Sequence, residues 1–210
     1  GENIGRTMEA LTYGVLRAGT NVFYANGSAR TDVNTPISLA KVRAVLRGLK
    51  AQKAMKITKI LDGSVNYHTR PIEASYIAVC HTDLEADVRN LAGFTPVAEY
   101  GSRKPISEYE VGSVEDFRFI SSPDLEPFAD GGGAYNGSGT DMVTTSGTSA
   151  DVYPILFFGK ESYGIVPLRG QGAVSPTILR PGKADKSDPL GQRGYVGWKT
   201  WHTAVILNQV

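Results

Sequence analysis

The 210-residue sequence has little of the chemistry that usually reveals a function. It contains one cysteine, Cys80, which excludes an internal disulfide and any metal site of the CxxC type. Its 22 basic and 21 acidic side chains leave a net charge of +1, without the basic excess that dedicated nucleic-acid binders carry. No apolar run approaches the roughly 18 residues of a membrane span. These absences leave an ordinary globular protein.

Glycine, by contrast, is abundant. The chain has 24 glycines and 11 prolines, whereas average usage of about 7% and 5% would give about 15 and about 11, so the excess is in glycine. Six of the glycines fall between residues 129 and 150, among serines, threonines and asparagines. Such a segment has too little apolar surface to offset its ordering entropy. We therefore expect residues 129–150 to be a surface loop inserted into a folded body.

Two helices are predicted near the start of the chain. Apolar residues recur at three- and four-residue steps from Met8 to Leu16, and Gly19 supplies a stop signal. No clear start signal precedes them, so we expect this helix to begin further upstream in a longer or processed chain. The second helix follows Ser38. Its apolar residues, which lie on one face, are Val42, Val45, Leu46 and Leu49. Its basic stripe, which we interpret as a solvated face rather than a phosphate-binding one, consists of Lys41, Arg43, Arg47 and Lys50.

A buried strand entering a helix is the clearest local signal. Residues 72–79 are apolar enough for a buried strand, and Thr82 and Glu85 follow directly. Their spacing is that of a capping box, in which each side chain satisfies a free backbone N–H at the helix start. The helix is expected to reach Leu91.

Short strands are predicted in the second half of the chain. Residues 111–114 and 117–120 read as a hairpin, and 177–179 as an edge strand between prolines. The closing segment 196–207 is rich in β-branched and aromatic residues, which favours one strand. Helices and strands together predict an α+β fold.

One cluster of residues offers a catalytic alternative. Cys80 and His81 are adjacent, with Asp83 and Glu85 close behind, and a cysteine hydrolase pairs a thiolate with a histidine base. Adjacent residues on a strand point to opposite faces, however, and capping already accounts for the two acids. We predict no catalytic residue and keep the hydrolase using Cys80 as an unfavoured alternative.

The other candidate residues are isolated. His68 and His202 have no companions at ligand spacing, and a metal site needs at least three converging ligands, so no metal-binding or cofactor-binding residue is assigned. The glycines of 130–139 lack the Lys-Ser or Lys-Thr and the helix of a phosphate loop. Trp198 and Trp201 could stack on bases, but their spacing on a strand favours packing in a core or an interface.

Read in order, several segments resemble one known family. The segments that carry the resemblance are 18–25, 42–49, 76–81 with 87–89, 111–112 with 117–120, 158–164, and 188–194 with 197–200. They are similar to the major capsid proteins of tailed bacteriophages, in the group typified by the N-four-like podoviruses. The likeness spans almost the whole chain except 129–150, and it depends on the order and spacing of motifs that are individually weak.

The resemblance implies the Hong Kong ninety-seven-like capsid fold, an α+β fold with a peripheral and an axial domain. It implies that residues 1–18 are the end of the peripheral domain's spine helix. Residues 19–168 would be the axial domain, with the insertion at 129–150, and 169–210 would return to the peripheral sheet. The family's N-terminal arm and extended loop precede the spine helix and are expected to be missing here.

The resemblance also implies a function without catalysis. The protein would assemble with itself into hexamers and pentamers of an icosahedral shell around double-stranded phage DNA. It would make no sequence-specific DNA contact, use no cofactor and bind no membrane, and scaffold, portal or decoration proteins are further expected partners. The expected location is the virion capsid, assembled in the host cytoplasm. The shell protein of an encapsulin-type nanocompartment shares the fold and is the main alternative.

Overall fold

The computed structural model of the protein describes residues 2–62, 68–135, 142–167, 174–182, 184 and 186–209. The helices are α1 (Glu2–Leu16), α2 (Leu39–Ala51) and α3 (Glu85–Arg89), and 3-10 turns lie at Arg30–Asp32, Thr82–Leu84 and Val97–Glu99. The strands are β1 (Ile57–Asp62), β2 (His68–His81), β3 (Thr95–Pro96), β4 (Glu110–Val114), β5 (Phe117–Ser122), β6 (Leu156–Phe158), β7 (Tyr163–Pro167), β8 (Val174–Leu179), β9 (Tyr195–Thr200) and β10 (His202–Ile206).

A six-stranded sheet forms the centre of the molecule, in the order β1-β2-β5-β4-β3 with β6 also paired to β2. The first half of β2 pairs antiparallel with β1, and its second half runs parallel to β5. At 14 residues, β2 is longer than the predicted strand 72–79. The added residues at its start are mostly exposed, so they lack the apolar signal that identifies a buried strand.

The hydrophobic core lies on one face of this sheet. Tyr76, Ala78 and Cys80 alternate along β2 and face the same way as Phe117 and Phe119, their neighbours in the parallel register. Helix α2 and the segment around α3 cover them. The side chains that these segments bury in the core are Val42, Leu46, Leu49, Val88 and Leu91. The apolar stripe predicted for the second helix therefore faces the core.

The predicted hairpin is confirmed, since β4 and β5 pair antiparallel around Glu115 and Asp116. Glu115 has a φ of 53°, a left-handed conformation that a tight turn imposes. The turn is tied to basic residues of α2 and the segment after it. The ion pairs are Arg43–Glu115 at 2.8 Å, Lys50–Asp116 at 2.7 Å and Lys56–Asp116 at 3.0 Å. Part of the basic stripe thus holds the hairpin turn, and the solvated-face interpretation covers only the remainder.

The predicted capping box is wrong. The residue that caps the turn after β2 is His81, whose Nδ1 accepts the Asp83 backbone N–H at 3.1 Å. The strand runs directly into a 3-10 turn that begins at Thr82, so Thr82 lies inside the turn rather than at its cap. Helix α3 also ends at Arg89, earlier than the predicted Leu91.

The closing segment is two strands rather than one. It breaks at Trp201, and the two parts pair with different partners: β9 with β8, and β10 with β7. These antiparallel pairs, which we call the two small sheets, each have only two strands. The predicted edge position of 177–179 is confirmed, because β8 pairs only with β9 among the described strands.

Helix α1 lies against the small sheet of β7 and β10. Thr12 Oγ1 is 2.9 Å from His202 Nε2 on β10. Tyr13 is the one buried side chain of α1, and its hydroxyl donates to the Glu126 carbonyl at 2.8 Å. Within the described residues, no helix is long and apolar enough to cross a membrane.

Candidate assembly surfaces

The catalytic alternative at Cys80 finds no support in the geometry. The thiol is fully buried in the core, and its Sγ lies 3.7 Å from the Ile120 carbonyl. Burial raises its pKa to about 12, helped slightly by Glu85, so the thiol is protonated at neutral pH. His81 does not face it. The sequence argument that the two side chains leave opposite faces of the strand holds.

His81 instead belongs to a surface cluster with Asp83 and Tyr153. The Tyr153 hydroxyl donates to Asp83 Oδ2 at 2.7 Å, and its ring centroid lies 5.1 Å from that of His81. Desolvation, together with the hydrogen bond to the carboxylate, raises the pKa of Tyr153. These contacts fasten the segment before β6 to the end of β2.

The histidines are not brought together. His68 begins β2 and His202 begins β10, where it contacts Thr12. Across the part of the chain that the structure describes, no three His, Cys, Asp or Glu residues converge as metal ligands.

The insertion 129–150 is more ordered at its base than its composition predicts. Bridges join Phe128 to Val152 and Ala134 to Ser149. The Asp130 carboxylate accepts the N–H and hydroxyl of Ser146 at 3.0 and 2.8 Å. These hydrogen bonds from Ser146 are the main reason why the pKa of the Asp130 carboxyl lies below its ordinary value.

Asp151 completes the base of the insertion from the other side. Its carboxylate accepts the Asp130 backbone N–H at 2.7 Å and the Thr145 N–H and hydroxyl at 3.2 and 2.9 Å. The prediction of a surface segment holds in part, because residues 129, 134, 143 and 145–148 are exposed, whereas most of the other described residues are half-buried and Ala150 is buried. Residues 136–141 lie outside the described part. Composition alone does not reveal this order. The sequence signal for it is the pair Asp130 and Asp151 with serines and threonines between them, because Asp, Ser and Thr side chains readily form hydrogen bonds with the nearby backbone and with one another.

The small sheet of β8 and β9 presents apolar residues to solvent. In its register Ile178 lies opposite Val196, and Pro176 lies opposite Trp198. These four share one face, since side chains two residues apart point the same way; we call them the hairpin face. Ile178 is 67% exposed and Val196 is 80% exposed.

Nothing in the described part of the chain buries the hairpin face. No described side chain of β8 or β9 is buried. An isolated two-stranded sheet is at best marginally stable in water, and a covering layer is what normally stabilises one. Contiguous exposed apolar surface of this kind marks an interaction site.

The second apolar surface surrounds α1 and the other small sheet. Leu11 and Val15 on α1 are exposed, although their spacing predicts a core-facing stripe. Val166 on β7 and Val205 on β10 are exposed as well. Trp201, at the break between β9 and β10, is 62% exposed. Trp198 is also partly exposed, so neither tryptophan is packed in the core of this chain, and their packing in an interface stays a prediction.

Comparison with known proteins gives these surfaces a context. No curated protein sequence matches the chain. A chain from the head structure of Helicobacter pylori bacteriophage KHP40 is similar in fold, with a TM-score of 0.50 and 12% sequence identity. The match covers 96% of this chain and 57% of that one, so this chain spans little more than half of its solved relative.

The family comparison covers nearly the whole chain. The model of the phage capsid protein family matches residues 1–208, including the insertion and both small sheets. Together with the head-protein fold, this match confirms the predicted α+β capsid fold and a structural role. The chain belongs to the phage capsid protein family.

Proposed function

We propose that the chain assembles with copies of itself into a closed icosahedral shell of hexamers and pentamers that encloses double-stranded phage DNA. The observation that carries the proposal is the hairpin face, together with the exposed apolar residues around α1. The residues of these surfaces are apolar or aromatic, like those that protein interfaces bury. In a shell, neighbouring copies would supply the layer that covers them.

The charge balance supports a container that holds DNA without reading it. With a net charge of +1, many copies pack side by side without strong mutual repulsion. Tight binding to phosphates needs an excess of Lys and Arg, and part of the basic stripe on α2 is paired with Glu115 and Asp116. DNA contacts in the shell would accordingly be weak and independent of sequence.

The proposal extends to domains and partners. Residues 1–18 and 169–210 would form the peripheral domain, and 19–168 the axial domain. The small sheet β8–β9 is separate from the six-stranded sheet, which supports a second unit. Because β7 pairs with β10, that unit would begin before β7 rather than at residue 169. Scaffold, portal and decoration proteins, assembly in the host cytoplasm, and membership of the podovirus group remain predictions.

Electron microscopy of the expressed protein tests the proposal. We expect closed shells or capsomers, and in infected cells the shells should protect phage DNA from nuclease. A protein that stays monomeric at high concentration contradicts shell assembly. Shells that hold a protein cargo and no DNA would indicate a nanocompartment instead.

A further inference from the structure

A cavity lies on the face of the six-stranded sheet opposite the hydrophobic core. It has a volume of about 370 Å³. Arg118 follows Phe117 on β5, so its side chain leaves the sheet on the other face. The basic side chains that line the cavity are Arg70, Arg103, Lys104 and Arg118, and its one acidic lining residue is Glu73. We call this the basic cavity.

Arg118 is buried there with part of its guanidinium unsatisfied. The residue is 1% exposed. Its Nη2 donates to the Lys104 carbonyl at 3.2 Å, and its Nε lies 3.3 Å from Glu110 Oε1. Among the described residues, Nη1 has no hydrogen-bond partner and Nε has none of good geometry. Buried donors without acceptors are rare in folded proteins, so this group is a candidate for an acceptor from outside.

Glu110 does not meet this demand, because both its oxygens are engaged. Oε1 accepts the Tyr100 hydroxyl at 2.7 Å, and Oε2 accepts the Ile106 backbone N–H at 2.5 Å. Burial and the bond to Glu110 raise the pKa of Tyr100 to about 12, so that hydroxyl stays a donor at neutral pH. The carboxylate fixes the loop over the cavity and balances the charge of Arg118, but it leaves Nη1 without a hydrogen-bond acceptor among the described residues.

The rim of the cavity is also basic. Arg103 pairs with Glu73 and lies over the Tyr100 ring, 4.8 Å from its centroid. Arg70 donates to the carbonyls of Pro105 and Ile106 at 3.3 and 3.2 Å, which holds it beside the same loop. Lys104 is exposed, and no acidic partner for it lies among the described residues. Arg103 and Arg118 each face a carboxylate of their own chain, so Lys104 is the exposed rim cation that an incoming anion would balance.

We propose that the basic cavity binds a carboxylate side chain from a second copy of the chain. The unsatisfied Nη1 would donate a charge-assisted hydrogen bond to a carboxylate oxygen, and Lys104 at the rim adds charge attraction. The chain has exposed acids to supply the group, among them Asp124 and Glu126 on the loop after β5. In a shell each copy can give one carboxylate and receive another, as a repeated contact requires. This inference rests on the proposed self-assembly.

Zero-length crosslinking tests the contact directly. A carbodiimide joins a lysine amine to a carboxylate only when the two are in contact. In shells assembled from equal amounts of ¹⁴N- and ¹⁵N-labelled protein, we expect Lys104 to be joined to an Asp or Glu of another copy, seen as mixed-isotope peptides. Crosslinks of Lys104 found only within one copy would overturn the proposal.

A charge reversal at the rim gives the matching functional test. Lys104→Glu should raise the concentration needed for half-assembly by about tenfold, because a like charge then faces the incoming carboxylate. Arg47→Glu, on the exposed side of α2, makes the same change in net charge and should have a much smaller effect. Circular dichroism should show both variants folded. Equal assembly of the two variants would overturn the inference and leave the proposed function intact, whereas failure of the unaltered protein to assemble would remove both.

A free anion is the alternative occupant. Thermal melting of the unassembled protein in inorganic phosphate, against chloride at equal ionic strength, distinguishes it. We expect no phosphate-specific increase in Tm. If phosphate raises the Tm, Lys104→Glu abolishes that increase and no intermolecular crosslinks form, the cavity holds a free oxyanion. That result would overturn the proposal that a second copy supplies the anion.

Discussion

The six-stranded sheet and the two small sheets use similar residues but differ in what covers them. On the large sheet, Phe117 and Phe119 are fully buried beneath α2 and the segment around α3. On the small sheet of β8 and β9, Ile178 and Val196 stand in solvent. One region folds on contacts from its own chain, whereas the other would be covered by neighbouring copies in the proposed shell. On that proposal, the difference separates the residues that maintain the subunit from those that build the assembly.

The largest effect on the subunit should come from the large sheet. Phe117→Ala removes a ring packed against Tyr76 and Phe157, at centroid distances of 5.7 and 4.8 Å. Truncation of a buried phenylalanine lowers the free energy of unfolding by about 3–5 kcal/mol. Denaturant unfolding of the unassembled subunit measures the loss. Trp201→Ala, at an exposed site, should change it by less than about 0.5 kcal/mol; equal losses would erase the distinction between the regions.

The hairpin face should show the reverse pattern. Val196→Lys places a charge where we expect a neighbouring copy, so assembly should fail while the free energy of unfolding of the subunit changes by less than about 0.5 kcal/mol. Val196→Thr, which keeps the shape and stays uncharged, should assemble much more readily. Sedimentation velocity measures the assembled fraction. Normal shells from Val196→Lys would show that this face is not an interface.

The insertion should respond locally. Asp151→Ala removes the acceptor of three hydrogen bonds at the base of the loop. We expect limited proteolysis to cut within 129–150 several times faster, with the unfolding of the large sheet unchanged. Glu99→Ala removes an exposed carboxylate elsewhere and should leave cleavage as it is. Unchanged cleavage in Asp151→Ala would mean that these bonds do not hold the loop.

The smallest effect is expected at the hairpin turn. The pKa of Asp116 is lowered from its ordinary value of 3.8, mainly by the hydrogen bond from Lys50. A lowered pKa means that the charged form stabilises the fold above the unfolded-state pKa, and that this contribution is lost as the pH falls through the folded-state pKa. Because the ion pairs are partly solvated, Asp116→Asn should lower the free energy of unfolding by less than about 1 kcal/mol at pH 6.

The pH dependence supplies the check on that small effect. Well below pH 3, the protein and Asp116→Asn should have nearly equal free energies of unfolding in denaturant titrations. Asp124→Asn should show little difference from the protein at either pH. If the difference in the free energy of unfolding between the protein and Asp116→Asn grows as the pH falls, that result would contradict the role given to these ion pairs.

The features that the sequence predicted correctly are those whose signals lie within one short segment of the chain. Glu115 and Asp116 between two apolar runs predicted the hairpin, and the apolar spacing from Val42 to Leu49 predicted the core face of α2. The chemistry of Cys80 was also predictable, because strand alternation alone separates it from His81. None of these depends on a distant segment.

The features that the sequence did not predict depend on contacts with distant segments of the chain or with other copies. The break at Trp201 arises because β9 and β10 pair with different strands, and the composition of both is equally typical of strand. The alternation of Val196 and Trp198 predicts one apolar face, but whether the same chain or another copy covers it is a property of the assembly. The basic cavity unites Arg70, Arg103 and Arg118 from three separate segments, which spacing cannot reveal.

Hydrogen–deuterium exchange on the free subunit and on the assembled shell tests the central claim most directly. On assembly, the amides of β8 and β9 should become strongly protected, while those of β2 and β5 change little because their own chain already covers them. Equal exchange of β8 and β9 in the two states would contradict the claim that neighbouring copies cover the small sheets.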